Sequence, residues 1–387
     1  MNLNNIKRNQ LDYLLTDILP NELSDRFTYS HFYEYLIGRS DEVEQMYKQL
    51  EETKAKAEGM FQGKKCWASM PLKYSIMKEL HTVREISLVQ PLAAIEMLLF
   101  VGIYQKELLN LLDKNACFSL RYHHRNNDLC YKNKNKSVIR YFSEESKQAG
   151  REVIEQTGMF FNILPYKSIS AFTSSEKWLV LNSKYAYFIK TDYKACFDSI
   201  YTHTYTWVIG KDSIDTKGFD HNSNIYSVID RVLQNINARR SNGIVVGPEF
   251  SRMIAELMLQ FIDVGVNSRL LNLGVICGQD YNVYRYVDDI FIFAKTEELA
   301  NLIVELYSEL ARKYLLRLNE SKLYRSKVPF VLEGWLIEAN LFTNRICEML
   351  FTTREEQKVY VEREMQMENG DVRPYLLKSY VIRYGSK

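Results

Sequence analysis

The sequence predicts an α+β protein centred on a β-α-β-β-α-β unit. Three observations carry this. An apolar run closes on Asp192, two strand-like runs flank Asp288 and Asp289, and helical stripes separate and follow them. Runs rich in aromatic and β-branched residues read as strands, and apolar residues recurring at i, i+3, i+4 and i+7 read as helices. In this order the pattern is the split βαβ arrangement, which brings the end of the first strand beside the central hairpin.

Residues 1–60 read as polar helix, with the charged run from Asp41 to Glu58 as a solvated face. Arg84 to Leu88 is strand-like. Pro91 opens an apolar helix through Leu92, Ile95, Leu98, Leu99 and Tyr104, because proline suits a first helical position. Glu96 interrupts that run, which is also too short to span a bilayer. From Arg121 to Arg140 the chain turns basic, with Tyr122, Tyr131, Tyr141 and Phe142 close by. Such a stretch suits phosphate contact and base stacking, and equally a solvated loop. Lys184 to Asp192 is the first strand of the unit, after which Asp198 and Ser199 cap a helix through Ile200 to Val208. The Gly243–Pro248 loop leads into a helix striped by Phe250, Met253, Ile254, Leu257, Met258 and Phe261. The hairpin runs from Tyr284 to Phe293. Thr296 caps a helix with Glu297 and Glu298 in its first turn and Leu299, Leu302, Ile303, Leu306 and Leu310 on one face. The apolar run from Pro329 to Ile337, broken by Gly334, reads as the last strand.

Two adjacent carboxylates at a hairpin tip repel each other, so they serve folding poorly. They serve a divalent cation well, since Mg²⁺ takes oxygen ligands from one or two carboxylates and from substrate phosphates. Alone, Asp288-Asp289 reads as a solvated turn. Asp192, at the end of a neighbouring buried strand, changes the weighing. Three carboxylates so placed can hold two metals about 4 Å apart, the arrangement of in-line phosphoryl displacement.

Bulk properties set bounds. At 387 residues the chain has room for two to three subdomains, and at 46% hydrophobic it can bury a core. A net charge of +2 confines any nucleic-acid track to a local patch. The six Cys form no C-x-x-C pair, which argues against zinc or a disulfide framework and fits a reducing cytoplasm. No apolar leader opens the chain. A cytoplasmic, non-membrane protein is expected.

On these residues the chain resembles the reverse transcriptases. Their Tyr-x-Asp-Asp hairpin is matched by Tyr286-Val287-Asp288-Asp289, and their first-strand motif by Asp192 with Phe197 five positions on. Gly247-Pro248-Glu249-Phe250-Ser251 matches the Gly-Pro-x-x-Ser start of a helix. Leu318-Asn319-Glu320-Ser321-Lys322 matches Leu-Asn-x-x-Lys, and Phe330-Val331-Leu332-Glu333-Gly334 is an altered primer-grip turn. Within that superfamily the chain is most similar to the bacterial anti-phage, abortive-infection group, including the smaller subunit of type 3 defence systems. The strings that carry this are Ser199-Ile200-Tyr201-Thr202-His203 and Gly247 to Arg252, with Ile254-Ala255-Glu256 beyond. One departure is Val246, where retroviral and intron enzymes usually carry Gln.

The resemblance implies a right-hand polymerase with a ferredoxin-like palm, helical fingers and a short thumb. It divides the chain into an N-terminal helical region (1–83), fingers (84–181), palm (182–340) and a short thumb or C-terminal helical segment (341–387). Asp192 and Asp288 would ligate both metals, Mg²⁺ with Mn²⁺ as substitute, with the Tyr193 carbonyl completing one shell and Asp289 supporting the site. Lys322 would be the general acid to pyrophosphate. Phe197 would be the steric gate against a 2′-hydroxyl, or an ordinary core aromatic. Gly247 would admit backbone to the nucleotide, and Arg84 and Arg121 would clamp the triphosphate. Tyr286 and Gly334 would lie near primer and template, as would His203 unless it only stabilises its helix. The implied reaction is RNA-directed addition of deoxynucleotides to a primer hydroxyl, in anti-phage defence and on a noncoding RNA template. The alternatives are untemplated or protein-primed synthesis by the same site, or an idle palm serving as an RNA-binding scaffold. Implied partners are dNTPs, an RNA template, the DNA product, and a homo-oligomer or second reverse transcriptase.

Overall fold

The computed structural model describes residues 9–20, 28–52, 68–79, 82–126, 130–131, 158–208, 224–327 and 333–350. It divides into two units, Met1–Val328 and Pro329–Lys387. In the first, helices α1 (Asp12–Thr16), α2 (Ser30–Ile37) and α3 (Ser40–Glu52) precede a hairpin of β1 (Leu72–Glu79) and β2 (Thr82–Leu88). Helix α4 (Pro91–Asn115) follows, with Pro91 in its first turn as expected. Strands β3 (Arg121–His124), β4 (Cys130–Tyr131), β5 (Gly158–Met159) and β6 (Asn162–Pro165) pair antiparallel as β3–β6 and β4–β5. Helices α5 (Ile169–Thr173) and α6 (Glu176–Lys184) lead to β7 (Tyr187–Asp192), and a single turn, α7 (Cys196–Ser199), follows it. Next come α8 (Ile225–Ile236), α9 (Glu249–Asn272), β8 (Tyr281–Tyr286), β9 (Asp289–Ala294), α10 (Glu297–Lys313) and β10 (Tyr324–Lys327). The second unit contributes α11 (Glu333–Leu350).

The central sheet has the strand order β10-β7-β9-β8, with every neighbour antiparallel. This is the split βαβ order read from the sequence. Successive strand residues face opposite sides. Ile189, Val283, Ile290 and Ile292 join one buried cluster with Met253, Leu257 and Ile303 of α9 and α10. The other side carries Phe188, Tyr284, Phe291 and Phe293, which pack edge-on and tilted against Phe172 and Trp178 of α5 and α6. Both faces are therefore covered, and only the ends of the strands remain for chemistry.

Two expectations are corrected. The fourth strand is Tyr324–Lys327, and Glu333–Leu350 is helix; the Pro329–Leu332 part of the expected strand lies outside the described residues. Ile200 to Val208 is not an α-helix: α7 ends at Ser199 and a 3₁₀ helix spans Thr202–Val208. Tyr201 pairs with Asn242 there, and β-branched Thr202, Thr204 and Thr206 disfavour α continuation. Thr296 does cap α10, its hydroxyl accepting from Leu299 N.

Glu96, which interrupts the apolar stretch of α4, is wholly buried. Asn235 Nδ2 of α8 donates to its Oε1 at 2.7 Å, while Oε2 has no partner among the described residues. Burial pushes its carboxyl up from 4.5 to about 8, against the pull of Asn235. Between those pH values the unfolded chain has lost the proton that the folded chain keeps, so stability falls as pH rises. Glu96→Gln keeps an acceptor for Asn235 and removes the titrating group. It is expected to flatten that slope and gain roughly 2–3 kcal/mol at pH 7, with little gain near pH 5. Urea melts of both proteins at the two pH values check this; parallel pH dependences would overturn it.

Candidate active site

Pairing in the sheet aligns Asp192 of β7 and Tyr286 of β8 with Asp289 of β9, and Asp288 sits in the turn beside them. The three carboxylates thus come to one end of the sheet from two parts of the sequence. Asp192 is buried. Its backbone carbonyl accepts from Asn319 N at 2.8 Å, and Tyr193 bridges to Leu318. This places the Leu318–Lys322 segment alongside β7, so that Lys322 Nζ donates to Asp192 Oδ2 at 2.7 Å. Its hydrogen bond to Asp192 raises the Lys322 ammonium, against slight burial, with Asp192, Asp288 and Asp289 adding to the rise. Lys190 Nζ stands 3.4 Å from Asp289 Oδ1.

Negative charge at this end is incompletely met. Asp192 Oδ1 is buried with no hydrogen-bond partner among the described residues. Burial pushes the Asp288 carboxyl up, its own backbone N–H pulls the other way, and Asp289 and Asp192 push further, outweighing Lys322. A divalent cation answers both conditions, offering a partner to the orphaned oxygen and neutralising the crowded carboxylates. As they stand, no three His, Cys, Asp or Glu side chains among the described residues gather closely enough to ligate a metal. The two lysines instead take up part of the charge.

The turn itself is held from beneath. Val287 has φ +56°, a left-handed conformation that is costly for a β-branched residue. Arg285, 0% exposed, donates from Nη1 to the Val287 carbonyl at 2.8 Å and to Glu256 Oε2 at 2.7 Å. Its Nη2 reaches Glu256 Oε1 at 2.7 Å and its Nε reaches Asp263 Oδ2 at 2.8 Å. Ser119 Oγ donates to Glu256 Oε1, and Tyr307 OH donates to Asp263 Oδ1. Burial alone would lower the Arg285 guanidinium, but Asp263 and Glu256 hold it well above its usual range. Sequence reasoning gave these residues no role. The signal was present: Arg285 is in phase with Tyr281 and Val283 on the buried side of β8, and Glu249, Glu256 and Asp263 recur every seven residues on α9.

Arg121 lies on β3, 10% exposed, its Nη2 bound to Glu249 Oε1 at 2.7 Å. His123 Nε2 meets the same oxygen at 3.0 Å, and Arg252 Nη1 binds Oε2 at 3.0 Å. Burial pushes Glu249 up, but Arg121, His123 and Arg252 together hold its carboxyl well below the usual range. Tyr286 OH donates to Lys167 O at 2.8 Å, close enough to Arg121 to feel its charge. Phe197 is half-buried against the core, and Ile244 N donates to its carbonyl. Arg84 is exposed on the β1–β2 hairpin, opposite Ile76. His203 is paired with Asp230 of α8 at 2.8 Å, and that hydrogen bond, against burial, raises its imidazole. Gly334 falls in α11 of the second unit. Of the basic stretch, Lys132, Lys134, Lys136 and Arg140 lie outside the described residues.

Gly247 has φ +134°, and a Cβ there would sit 2.6 Å from Pro20 Cγ and 3.1 Å from the Ser87 carbonyl. The close approach it permits is to this chain's own β2 and N-terminal segment. Gly247→Ala is therefore expected to destabilise by about 1–3 kcal/mol, seen as an earlier urea midpoint with unchanged slope; an unchanged midpoint would contradict it.

Among the described residues no helix is long and apolar enough to cross a membrane. No curated protein matches the chain. Among solved structures it is similar to telomerase from Candida albicans in complex with the TWJ fragment of telomeric RNA, at 12% identity and a TM-score of 0.35. That match covers 73% of this chain and 45% of the telomerase. Apo telomerase from Candida tropicalis, truncated from its C-terminal domain, matches at 12% identity and TM-score 0.34, over 68% of this chain and 51% of that one. The chain spans about half the length of these structures. Residues 134–333 match the family model described as reverse transcriptase (RNA-dependent DNA polymerase). The match takes in β7 to β10 with all three carboxylates and runs over more than half of the sequence, so the chain belongs to the reverse transcriptase family.

Proposed function

We propose that the protein is an RNA-directed DNA polymerase that adds deoxynucleotides to a primer 3′-hydroxyl at the Asp192–Asp288–Asp289 end of the sheet. The observation that carries this is the register that sets Asp192 opposite Asp289 and beside Asp288, within a family match covering the whole unit. The β7–β10 sheet with α9 and α10 would form the palm, the β1–β6 region the fingers, and the chain after the palm a short thumb. Mg²⁺ held by Asp192, Asp288 and the Tyr193 carbonyl would supply charge neutralisation for the triphosphate and activation of the primer hydroxyl. Asp289, restrained by Lys190, keeps negative charge at the site without being needed as a bridge. Lys322, which donates to Asp192 Oδ2, would act as the general acid that gives its proton to departing pyrophosphate. Phe197 would exclude a 2′-hydroxyl, and Arg121 would meet the triphosphate. A noncoding RNA template, a role in bacterial anti-phage defence, a cytoplasmic setting and a second reverse transcriptase subunit or homo-oligomer complete the reading.

Purified protein given labelled dNTPs and Mg²⁺ is expected to yield product that disappears after RNase pretreatment. Product that survives RNase and migrates with protein on a denaturing gel would replace this reading by protein-primed or untemplated synthesis. No product with dNTPs, with Mn²⁺ or with added RNA and primer would favour an RNA-binding scaffold.

A further inference from the structure

Two of the three carboxylates at the sheet end each have a lysine of their own. Register sets Asp192 directly opposite Asp289, where like charges destabilise a strand pair. Lys190 stands two residues before Asp192 on the same face of β7, diagonal to Asp289, and its Nζ lies 3.4 Å from Asp289 Oδ1. The same ammonium lies 5.5 Å from the centroid of the Phe291 ring. Lys322 comes from the other direction. The Tyr193–Leu318 bridge and the bond from Asn319 N to the Asp192 carbonyl bring its short 3₁₀ turn, Glu320–Lys322, to β7. Its Nζ donates to Asp192 Oδ2 at 2.7 Å, and the Asp192 side chain is 7% exposed, so this bond is made largely out of water. Backbone contacts, not a chance meeting of surface chains, carry the lysine there. Asp288 forms no ion pair among the described residues.

We propose that Lys190 and Lys322 are built-in competitors of the divalent cation: each holds a carboxylate oxygen that the cation needs, and together they set how weakly the free protein binds metal. This rests on the polymerase reading, which makes the three acids metal ligands. A cation taking Asp192 Oδ2 has to displace the Lys322 ammonium, and one drawing on Asp289 has to break the Lys190 pair. Two partners that exclude each other lower one another's affinity by the same factor. With each acid drawn to its own lysine, no three His, Cys, Asp or Glu side chains among the described residues gather closely enough to ligate a metal. Lysine suits the role, because its ammonium is a compact charge on a flexible stem and exchanges partners without moving the backbone. Lys322 carries the larger share, since its partner is buried and hydrogen-bonded. Lys190 and Asp289 are both partly exposed, and such a pair contributes less.

The test is Mn²⁺ binding by the full chain without nucleotide or nucleic acid, read as loss of the free-ion electron spin resonance signal. Lys322→Met is expected to bind Mn²⁺ at least about fivefold more tightly than wild type, and Lys190→Met about threefold. Lys322→Arg, which keeps the charge, should stay within about twofold of wild type. Lys194→Met controls for long-range charge. Lys194 is exposed, two residues past Asp192 and in no ion pair with a described residue, so its loss should change affinity by less than about twofold. Without metal, Lys322→Met should melt earlier than wild type, because Asp192 loses its cation, yet Mn²⁺ should raise its melting temperature by more. Unchanged or weaker Mn²⁺ binding in Lys322→Met would overturn the proposal, since a lysine that merely oriented Asp192 would weaken binding when lost. Unchanged binding in Lys190→Met would strike Lys190 from it. An equal gain from Lys194→Met would overturn it by reducing the effect to net charge. Asp288→Asn separates the two readings. If Mn²⁺ binding depends on Asp288 and the lysine variants match wild type, the competition alone fails. If Asp288→Asn binds as wild type does, the metal site of the polymerase reading fails and the competition falls with it.

Discussion

Asp288→Asn is expected to abolish deoxynucleotide incorporation, by at least about 10³-fold, while the protein folds as before. The substitution keeps volume and removes one of three crowded negative charges. Because burial, Asp289 and Asp192 push the Asp288 carboxyl up, its ionisation costs stability at neutral pH. The amide relieves that cost, so the melting temperature should be unchanged or higher in the absence of metal. Mg²⁺ should stabilise the wild type more than the variant, since only ligands that prefer the folded state raise its stability. Thermal melts with and without Mg²⁺, alongside incorporation assays, give both readouts. A folded Asp288→Asn protein that still incorporates nucleotides would sink the assignment of the three carboxylates.

Arg285→Met is expected to cost about 3–5 kcal/mol in folding stability, because it strands Glu256 and Asp263 in the interior without their cation. Two further losses follow from the same side chain. The Val287 carbonyl loses its donor at 2.8 Å, and the left-handed turn that presents Asp288 is left without its brace. Adding Glu256→Gln and Asp263→Asn should restore much of the stability, since replacing all the charges avoids an uncompensated one. It should not restore incorporation, because the brace on Val287 is still missing. Urea melts of the single and triple variants separate the two effects. A single variant within about 1 kcal/mol of wild type would refute the clamp.

The meeting of Asp192 with Asp288 and Asp289 was legible because each lies at the end of a strand with a strong local signature, and the element order fixed which strands are neighbours. The last strand was not. Tyr324-Arg325-Ser326-Lys327 lies at the sheet edge, mostly exposed, and shows no apolar alternation, while the apolar run at 329–337 invited a strand reading that the helix from Glu333 replaces. Arg285 was passed over because a charged residue in a strand reads first as solvent-facing. Its phase with Tyr281 and Val283 held the contrary information, and only the carboxylates brought from α9 show how a core arginine is satisfied. Gly247 was read as clearance for a ligand. Its neighbours, Pro20 and Ser87, are far away in sequence, so no local pattern could name them.

The bond from Lys322 to Asp192 joins residues 130 positions apart. A chain emerging from the ribosome therefore exposes the first carboxylate long before its counter-charge exists, and contacts of such sequence separation are slow to form. Nascent chains ending before Asn319 would carry all three acids yet lack the lysine and the Asn319 tether that fix Asp192. The closing of this corner thus waits on the synthesis of that segment. A lesion confined to the 318–322 segment would act as a maturation defect, leaving a folded body whose carboxylate corner never closes.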